Sequence, residues 1–358
     1  MRNLPKKISL PTQTASAILE EINVGRWDQW LPGEHELAAQ LHVSRRTVRE
    51  ALEQLQKEGV VKCGRGKRRQ IVRRNMGQPK PASSRVVLLT PVPLHSMSPF
   101  SIFLIDRLRE HLAEDGYLLE IHVGRDPYRA RLPQRLKKLD ETLHPAGWVL
   151  MQSTEAMQRW FAQRRLCCVV VGSCYPGVEL ASVGFDFAAV CRHAVGQFLA
   201  RGHHRIVLLN PKVRAAGDMK AEAGFLEAIK STRVENVAAE IVHHDGTVRN
   251  ICSRLDGLLR MSNRPTALLI SRGHHVLTVL GHLSACKLRV PEDMTIVSRE
   301  DDSYLESVVP SLTRYAGNPE LFAAKLSRVV LSAVRGDRRT IESRIMPTFI
   351  PGETLGRV

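Results

Sequence analysis

Apolar residues between positions 34 and 59 recur at the spacing of amphipathic helices. Four of them follow the i, i+3, i+4, i+7 rule: Val48, Ala51, Leu52 and Leu55. Because these positions share one helix face, they predict a helix from Arg45 to about Gly59 with a buried stripe. Ser44 can accept a hydrogen bond from a free first-turn amide, and glycine commonly follows a helix end.

Two shorter helical patterns precede this one. A helix at about residues 34–41 would have as its inner face Leu37, Ala38 and Leu41. A first helix at about residues 12–24 would bury Ala15, Ile18, Leu19 and Ile22. Three helices in this order, joined by short polar segments, predict a small helical unit with a core of its own.

A basic hairpin is predicted after Gly59. Val60 and Val61 begin a strand, the turn Gly64-Arg65-Gly66 provides residues that tolerate positive φ, and the return strand holds Ile71 and Val72. From residue 62 to residue 74 there are seven Lys or Arg and no acidic residue. Beside a duplex, the tip at Gly66 could enter the minor groove while Lys67, Arg68 and Arg69 meet phosphates.

The third helix carries a candidate DNA-reading surface. Arg45 and Arg49 are four residues apart and therefore lie on one face, with Arg46 and Thr47 beside them. A guanidinium can pair with O6 and N7 of guanine at once, which suits reading in the major groove. The alternative is a basic helical hairpin that is merely solvated and binds no nucleic acid. The helix pattern, the arginine spacing and the basic β-hairpin together favour a winged helix-turn-helix that binds DNA.

The segment LPGEHELAAQLHVSRRTVREALEQLQKEGVV resembles the GntR family of bacterial regulators, and the likeness covers about residues 10–72. The resemblance implies that Arg45, Thr47, Arg49 and the wing residue Gly66 contact operator DNA. His35 stands where the family usually has a DNA-contacting arginine, so a weaker phosphate contact or none is expected there.

After a linker, strands and helices alternate. Charge, glycine, proline and serine in RRNMGQPKPASS predict an extended connection, assigned to residues 75–84 between a DNA-binding domain at 1–74 and a second domain at 85–358. Apolar runs predict strands at 85–90, 117–123, 147–151, 167–171, 182–185, 205–209, 238–242, 267–270 and 295–298. Such α/β alternation predicts two doubly wound parallel-sheet subdomains.

Three separated segments resemble the LacI/GalR-type effector domain, which shares the fold of periplasmic binding proteins. They begin at Ser98 (SPFSIFLIDRLREHLAEDGYLL), Val183 (VGFDFAAVCRHAVGQFLARGHHRIVLLN) and Pro265 (PTALLISRGHH, continuing to VPEDMTIVSREDD). The resemblance implies a ligand between two lobes, with chain crossovers near 183–186, 310–314 and 338–343. Subdomain one would hold 85–183 and 311–338, and subdomain two 184–310 and 339–358.

The resemblance also gives candidate effector-binding residues, some of them altered. Asp186 keeps the family's acidic position, whereas Arg272-Gly273 replaces its Asn-Asp, SRED at 298–301 replaces GFDD, and Ala221 replaces an arginine. The candidates are Ser96, Ser153, Asp186, Arg272 and Glu300, with an aromatic from residues 95–100. Arg272 could contact a sugar acid, or instead pair with Glu300 or Asp301. Ser153 could equally cap a helix.

Composition and charge limit the classes of function that fit the chain. The formal net charge of +16 favours a polyanionic partner, although the excess is not confined to the first domain. Seven cysteines without CxxC spacing predict reduced thiols, and the tandem histidines 203–204, 243–244 and 274–275 are not expected to hold a metal. No catalytic spacing or nucleotide loop is recognisable, so neither an enzyme nor a cofactor is expected. No apolar run predicts a membrane span, so a soluble, cytoplasmic protein is expected.

These inferences favour a one-component transcription regulator. A homodimer would read a double-stranded DNA operator, and a small sugar-like effector would control its affinity. A ligand-insensitive architectural or constitutive DNA binder is the alternative, because several effector positions are altered.

Overall fold

A computed structural model describes residues 9–23, 27, 30–57, 59–63, 69–71, 83–124, 131–337 and 339–358. Contacts divide the chain into two compact units, residues 1–79 and 80–358. The boundary falls within the segment that the sequence marks as a linker.

The first unit is a small helical domain with a two-stranded ribbon. Its helices are α1 (Leu10–Asn23), α2 (Glu34–Gln40) and α3 (Arg45–Lys57), and its strands are β1 (Val61–Cys63) and β2 (Arg69–Ile71). The strands pair antiparallel, and Trp30 forms a bridge with Gln70 on the second strand. All four residues of the predicted α3 stripe are buried. Gly59 has φ +71°, which ends the helix in the left-handed conformation that glycine tolerates.

The second unit alternates strands and helices along its length. Its helices are α4 (Pro99–Glu114), α5 (Leu132–Leu143), α6 (Glu155–Gln163), α7 (Phe187–Leu199), α8 (Ala216–Ser231), α9 (Val248–Leu259), α10 (Gly273–Ala285) and α11 (Pro319–Val334). Its strands are β3 (Arg85–Thr90), β4 (Leu118–Val123), β5 (Gly147–Met151), β6 (Cys168–Val171), β7 (Ala181–Phe185), β8 (Arg205–Pro211), β9 (Ala238–His244), β10 (Ala267–Ile270), β11 (Thr295–Ser298), β12 (Thr313–Ala316), β13 (Glu342–Ile345) and β14 (Thr348–Ile350).

The strands form two six-stranded sheets, one in each lobe. Lobe one has the order β13-β7-β6-β5-β3-β4, and lobe two has the order β14-β12-β11-β10-β8-β9. Neighbouring strands are parallel except for β14, which pairs antiparallel with β12 at an edge. Each sheet is covered on both faces by apolar clusters, as expected for parallel strands linked by helices.

The last part of the chain corrects the predicted lobe boundaries. The chain crosses between lobes at residue 186, at residues 317–318 and at residues 346–347, so the second and third crossovers lie beyond the predicted 310–314 and 338–343. The short strands β12, β13 and β14 were not predicted. β12 alternates buried and half-buried residues, β13 and β14 at the sheet edges are largely exposed or half-buried, and all three lack the continuous apolar run that marked the inner strands.

Candidate functional site

The start of α3 presents exposed basic side chains. The Ser44 hydroxyl accepts the Thr47 amide at 3.1 Å and lies 2.8 Å from the Thr47 hydroxyl, so it caps the helix as predicted. Arg45 and Arg46 are exposed in the first turn, and Arg46 Nε donates to Glu50 Oε1 at 3.0 Å. These contacts fix the helix start while two guanidinium groups face solvent.

Arg49 is held by a carboxylate of the preceding helix. Its Nη2 and Nε donate to Glu34 Oε2 at 3.0 and 3.3 Å. This hydrogen bond, with the attraction of the same carboxylate, raises the pKa of Arg49 above its ordinary value. Arg49 is therefore oriented by α2, a partner that its helix pattern did not predict. His35, on the same short helix, is exposed, and the predicted wing residues Gly66 and Lys67 lie outside the described residues.

A cavity of about 500 Å³ lies between the two lobes of the second unit. It is bordered by the carboxyl end of β11, the start of α4 and the crossover segments. Its aromatic walls are Phe100, Phe103, Phe185, Phe187 and Tyr315. Its charged lining residues are Arg299, Glu300, Asp301, Asp302 and Glu320. A concave site with apolar faces and convergent polar groups is typical of small-molecule binding.

Four charged side chains, two of them buried and two half-buried, form a network beside this cavity. Arg272 donates to Asp218 Oδ2 at 2.6 Å and to Glu300 Oε1 at 2.7 Å. Arg299 donates to the other Asp218 oxygen at 2.8 Å and to Glu300 Oε1 at 3.0 Å. Two guanidinium groups and two carboxylates therefore neutralise one another, and we call these residues the charge quartet.

Arg299 is the most buried member of the quartet, with 0% of its side chain exposed. Its guanidinium carbon lies 4.1 Å from the centre of the Phe187 ring, a cation–π contact. Burial alone would lower the pKa of Arg299, but the carboxylates of Glu300 and Asp218 raise it above the ordinary value. Nε and Nη1 have no partner among the described residues, so part of this cation's hydrogen-bonding capacity is unused within the chain.

The predicted effector residues are only partly brought together. Arg272 and Glu300 meet in the ion pair that the sequence left open as an alternative, whereas Asp301 accepts from Arg314 at 2.6 Å. Asp186 caps α7 by accepting the Ala189 amide at 2.9 Å. Four of the candidates do not line the large cavity: Ser96, Ser153, Asp186 and Arg272, the last of which lines a smaller pocket.

Two of these outlying candidates have other neighbours. Ser153 accepts from Gln158 at 3.0 Å, and the cap of α6 is its neighbour Thr154. Ser96 is exposed in a turn, while Ser98 lines the cavity and caps α4. Phe100 lines the cavity from the segment expected to supply an aromatic ring.

Asp218 and Arg299 are the site residues that the sequence pattern missed. Asp218 lies in the first turn of α8, 81 residues from Arg299 in the chain, so no local spacing joins them. The available signal was the arginine at position 299, directly after a buried strand, where the resembling family carries phenylalanine. A buried cation at that place needs a carboxylate close by.

A second, smaller pocket of about 310 Å³ adjoins the quartet at Arg272 and contains three histidines. The rings of His244 and His275 meet edge to face with centroids 4.6 Å apart. Burial, together with the positive charge of Arg272, lowers the pKa of each to about 4, so both are neutral near pH 7. His244 Nε2 and His275 Nδ1 have no hydrogen-bond partner among the described residues.

Comparison with known proteins agrees with this two-unit arrangement. Residues 11–71 match the model for bacterial regulatory proteins of the gntR family, and residues 195–355 match the periplasmic binding protein-like domain. The chain is 21% identical over 257 residues to the HTH-type transcriptional regulator KdgR of Bacillus subtilis, covering 68% of this chain and 74% of that protein. It is 24% identical over 177 residues to the regulator CelR of Thermobifida fusca, covering 48% and 52%.

Solved structures show the same fold. A structure titled as a transcriptional regulator CelR–cellobiose complex aligns with a TM-score of 0.64 at 17% identity, covering 98% of this chain and 100% of that chain. A LacI family regulator from Bifidobacterium animalis aligns with a TM-score of 0.65 at 17% identity, covering 77% and 98%. Among the described residues, none of the helices has the length and apolar character to cross a bilayer.

These features define a DNA-binding transcription regulator with an effector-binding module: the fold, the helix-turn-helix unit and the cavity between the lobes. More specifically, residues 11–71 match the gntR family of bacterial regulatory proteins and residues 195–355 match a periplasmic binding protein-like domain, so the chain resembles GntR-type helix-turn-helix regulators fused to a LacI/GalR-type effector domain. The family resemblance predicted from the sequence is confirmed.

Proposed function

We propose that the effector is a neutral, hydroxyl-rich, sugar-like compound that binds in the 500 Å³ cavity between the lobes. The observation that carries this proposal is the composition of the cavity wall. Aromatic rings suit the apolar faces of a sugar, and ionised carboxylates accept hydrogen bonds from its hydroxyl groups. The cavity lies within the volume range of small-molecule sites.

The charges favour a neutral sugar over a sugar acid. The cavity lining holds four carboxylates and one guanidinium. Arg299, Glu300 and Asp301 already have partners of opposite charge, whereas Asp302 and Glu320 have no ion-pair partner among the described residues. Arg272, which motivated the sugar-acid hypothesis, lines the smaller pocket and is neutralised by Asp218 and Glu300. A carboxylate ligand would therefore meet mostly like charge in the large cavity.

Ligand control would act through the contacts that join the lobes. The Tyr175 hydroxyl of lobe one donates to the Arg214 carbonyl of lobe two at 3.3 Å, and Lys220 of lobe two forms an ion pair with Glu342 of lobe one. An effector that binds one lobe arrangement better than another shifts the equilibrium between them. Operator affinity would change by its differential affinity, typically about 1–3 kcal/mol.

Operator recognition would use the exposed side chains of the first unit. Arg45, Thr47 and Arg49 are the proposed base-reading residues, because they lie on the first turns of the helix that a helix-turn-helix inserts in the major groove. Arg46, His35 and the wing residues Gly66 and Lys67 are proposed backbone contacts. A homodimer would place two such helices on a symmetric operator.

Calorimetry on the purified full chain tests the effector proposal. Neutral mono- and disaccharides, each paired with the corresponding uronic acid, are titrated into the wild-type protein and into Phe103→Ala. We expect a neutral sugar to bind and Phe103→Ala to weaken it about tenfold, since one aromatic wall is lost.

The matched control is Ile102→Ala, an exposed neighbour on the same helix that does not line the cavity. Preference for uronates, or equal weakening in both variants, would contradict the proposal. If no carbohydrate binds, the ligand-insensitive DNA binder becomes the better description.

A further inference from the structure

We propose that Asp256, His282 and Cys286 form a binding site for a zinc-like divalent metal ion on lobe two. Their potential ligand atoms all lie within 4.8 Å of one another. His282 Nε2 is 2.8 Å from Asp256 Oδ1 and 3.8 Å from Cys286 Sγ. One carboxylate, one imidazole and one thiolate are the donor types that Zn²⁺ accepts.

The separations fit a tetrahedral ion after small adjustments. Zinc bonds of about 2.0–2.3 Å place neighbouring ligand atoms roughly 3.3–3.5 Å apart. The His282–Asp256 separation would lengthen by about half an ångström and the His282–Cys286 separation would shorten by about 0.3 Å, which side-chain rotation can supply. Three protein ligands leave a fourth position for water, and the exposed Cys286 lies on the solvent side of the cluster.

The two helices that carry the cluster are packed against each other. Asp256 lies on α9, His282 lies on α10, and Cys286 caps the carboxyl end of α10 one turn after His282. The adjacent residues Leu255 and Leu283 are buried in the same apolar cluster, so the two helices are fixed against each other. A site whose ligands come from two packed helices needs little ordering when the ion binds.

The site is separate from both pockets, because Asp256, His282 and Cys286 line neither of them. His282 is ten residues beyond Arg272, which precedes α10, and a helix rises about 1.5 Å per residue, so the two residues are about 15 Å apart along the axis. Without a metal, the His282 Nε2 proton is shared with Asp256 as a surface hydrogen bond. A bound ion would occupy Nε2, which moves the proton of a neutral His282 to Nδ1, and it would displace the thiol proton of Cys286, so binding would release that proton.

Cobalt titration of the full chain, freed of metal with a chelator and kept reduced with a phosphine, tests the proposal. We expect one equivalent of Co²⁺ to give the visible bands of a four-coordinate ion with a thiolate-to-cobalt charge-transfer band. Stoichiometric Zn²⁺ should abolish these bands. Cys286→Ser should lose the charge-transfer band, and His282→Gln should weaken binding at least about tenfold.

Cys252→Ser is the matched control, because Cys252 is a half-buried thiol on the same helix as Asp256. It should bind cobalt as the wild type does. A charge-transfer band that survives in Cys286→Ser, or that disappears in Cys252→Ser, would overturn the assignment. A spectrum without thiolate ligation in the wild type would overturn it as well.

Discussion

Glu34 and Arg49 bind each other between α2 and α3, with two guanidinium nitrogens directed at one carboxylate oxygen. The pairing orients an arginine proposed to read operator bases. Arg49→Ala should weaken specific operator binding about tenfold to a hundredfold, because a bidentate contact to guanine would be lost. Gel-shift titration against specific and random duplexes measures the effect.

A double-mutant cycle separates orientation from simple charge. Glu34→Gln removes the partner but keeps the shape, and it should lower the ratio of specific to random binding. If Glu34 acts through Arg49, Glu34→Gln should have little further effect in the Arg49→Ala background. Additive effects would show that Glu34 does not position Arg49. Arg46→Gln is the control, since Arg46 pairs with Glu50 on its own helix.

Removal of Asp218 should destabilise the second unit strongly. Asp218→Asn would leave the fully buried Arg299 with only Glu300 as an anionic partner and weaken the cap that Asp218 makes to Ala215. Breaking a buried ion pair costs about 3–5 kcal/mol of unfolding free energy. Urea denaturation measures it. The surface pair of exposed Arg289 with half-buried Asp293 supplies the control Asp293→Asn, which should change stability little. Equal effects of the two variants would show that the quartet does not stabilise the lobe.

The buried histidines should make stability depend on pH. The pKa values of His244 and His275 are lowered from 6.5 to about 4 by burial, with Arg272 and His274 adding to the shift and Asp245 and Glu300 opposing it. As pH falls from about 6.5 towards 4, these two histidines become protonated in the unfolded chain but stay neutral in the folded chain. The stability present above pH 6.5 is therefore lost, by at most about 1.4 kcal/mol per histidine and pH unit.

Denaturation at pH 7 and pH 5.5 measures this loss. His244→Gln combined with His275→Gln should reduce the difference between the two pH values. The control His204→Gln changes an exposed histidine and should keep the wild-type difference. An unchanged difference in the double variant would mean that other groups cause the acid sensitivity.

Asp186 should stabilise the second unit because its side chain caps the start of α7. Asp186→Ala removes the acceptor for the Ala189 amide and should cost about 0.5–2 kcal/mol, whereas Asp186→Asn keeps an acceptor and should cost less. Thermal unfolding compares them. Because Asp186 does not line the cavity, Asp186→Asn should retain effector affinity in calorimetry; its loss would place the ligand nearer the first crossover.

Dimer formation through lobe one is also testable. Leu118 is 60% exposed at the start of β4, which among the described strands pairs only with β3. Exposed apolar side chains at a sheet edge favour association. Leu118→Asp should give monomers in light scattering and weaken operator binding. The control Leu277→Asp alters a similarly exposed leucine of lobe two, so monomers there as well would point to another interface.

The sequence predicted the elements whose formation depends on residues close together in the chain. Helix α3, its buried stripe and its end at Gly59 follow from local periodicity, and so do the inner strands with continuous apolar runs. Local patterns could not predict which side chains from distant segments of the chain contact each other. The pair of Glu34 with Arg49 joins two helices, and the pair of Asp218 with Arg299 appears only once α8 and β11 meet at the cavity.

The order in which the lobes are completed along the chain bears on synthesis by the ribosome. Lobe one begins at residue 85, yet α11, which covers its sheet with Phe322, Leu326 and Val330, follows most of lobe two. A nascent chain therefore carries an apolar sheet face that α4 covers only in part until residue 334 has emerged. Long-range completion of this kind slows folding and exposes surfaces that aggregate, so chaperones that shield early lobe-one intermediates should raise the yield of native regulator.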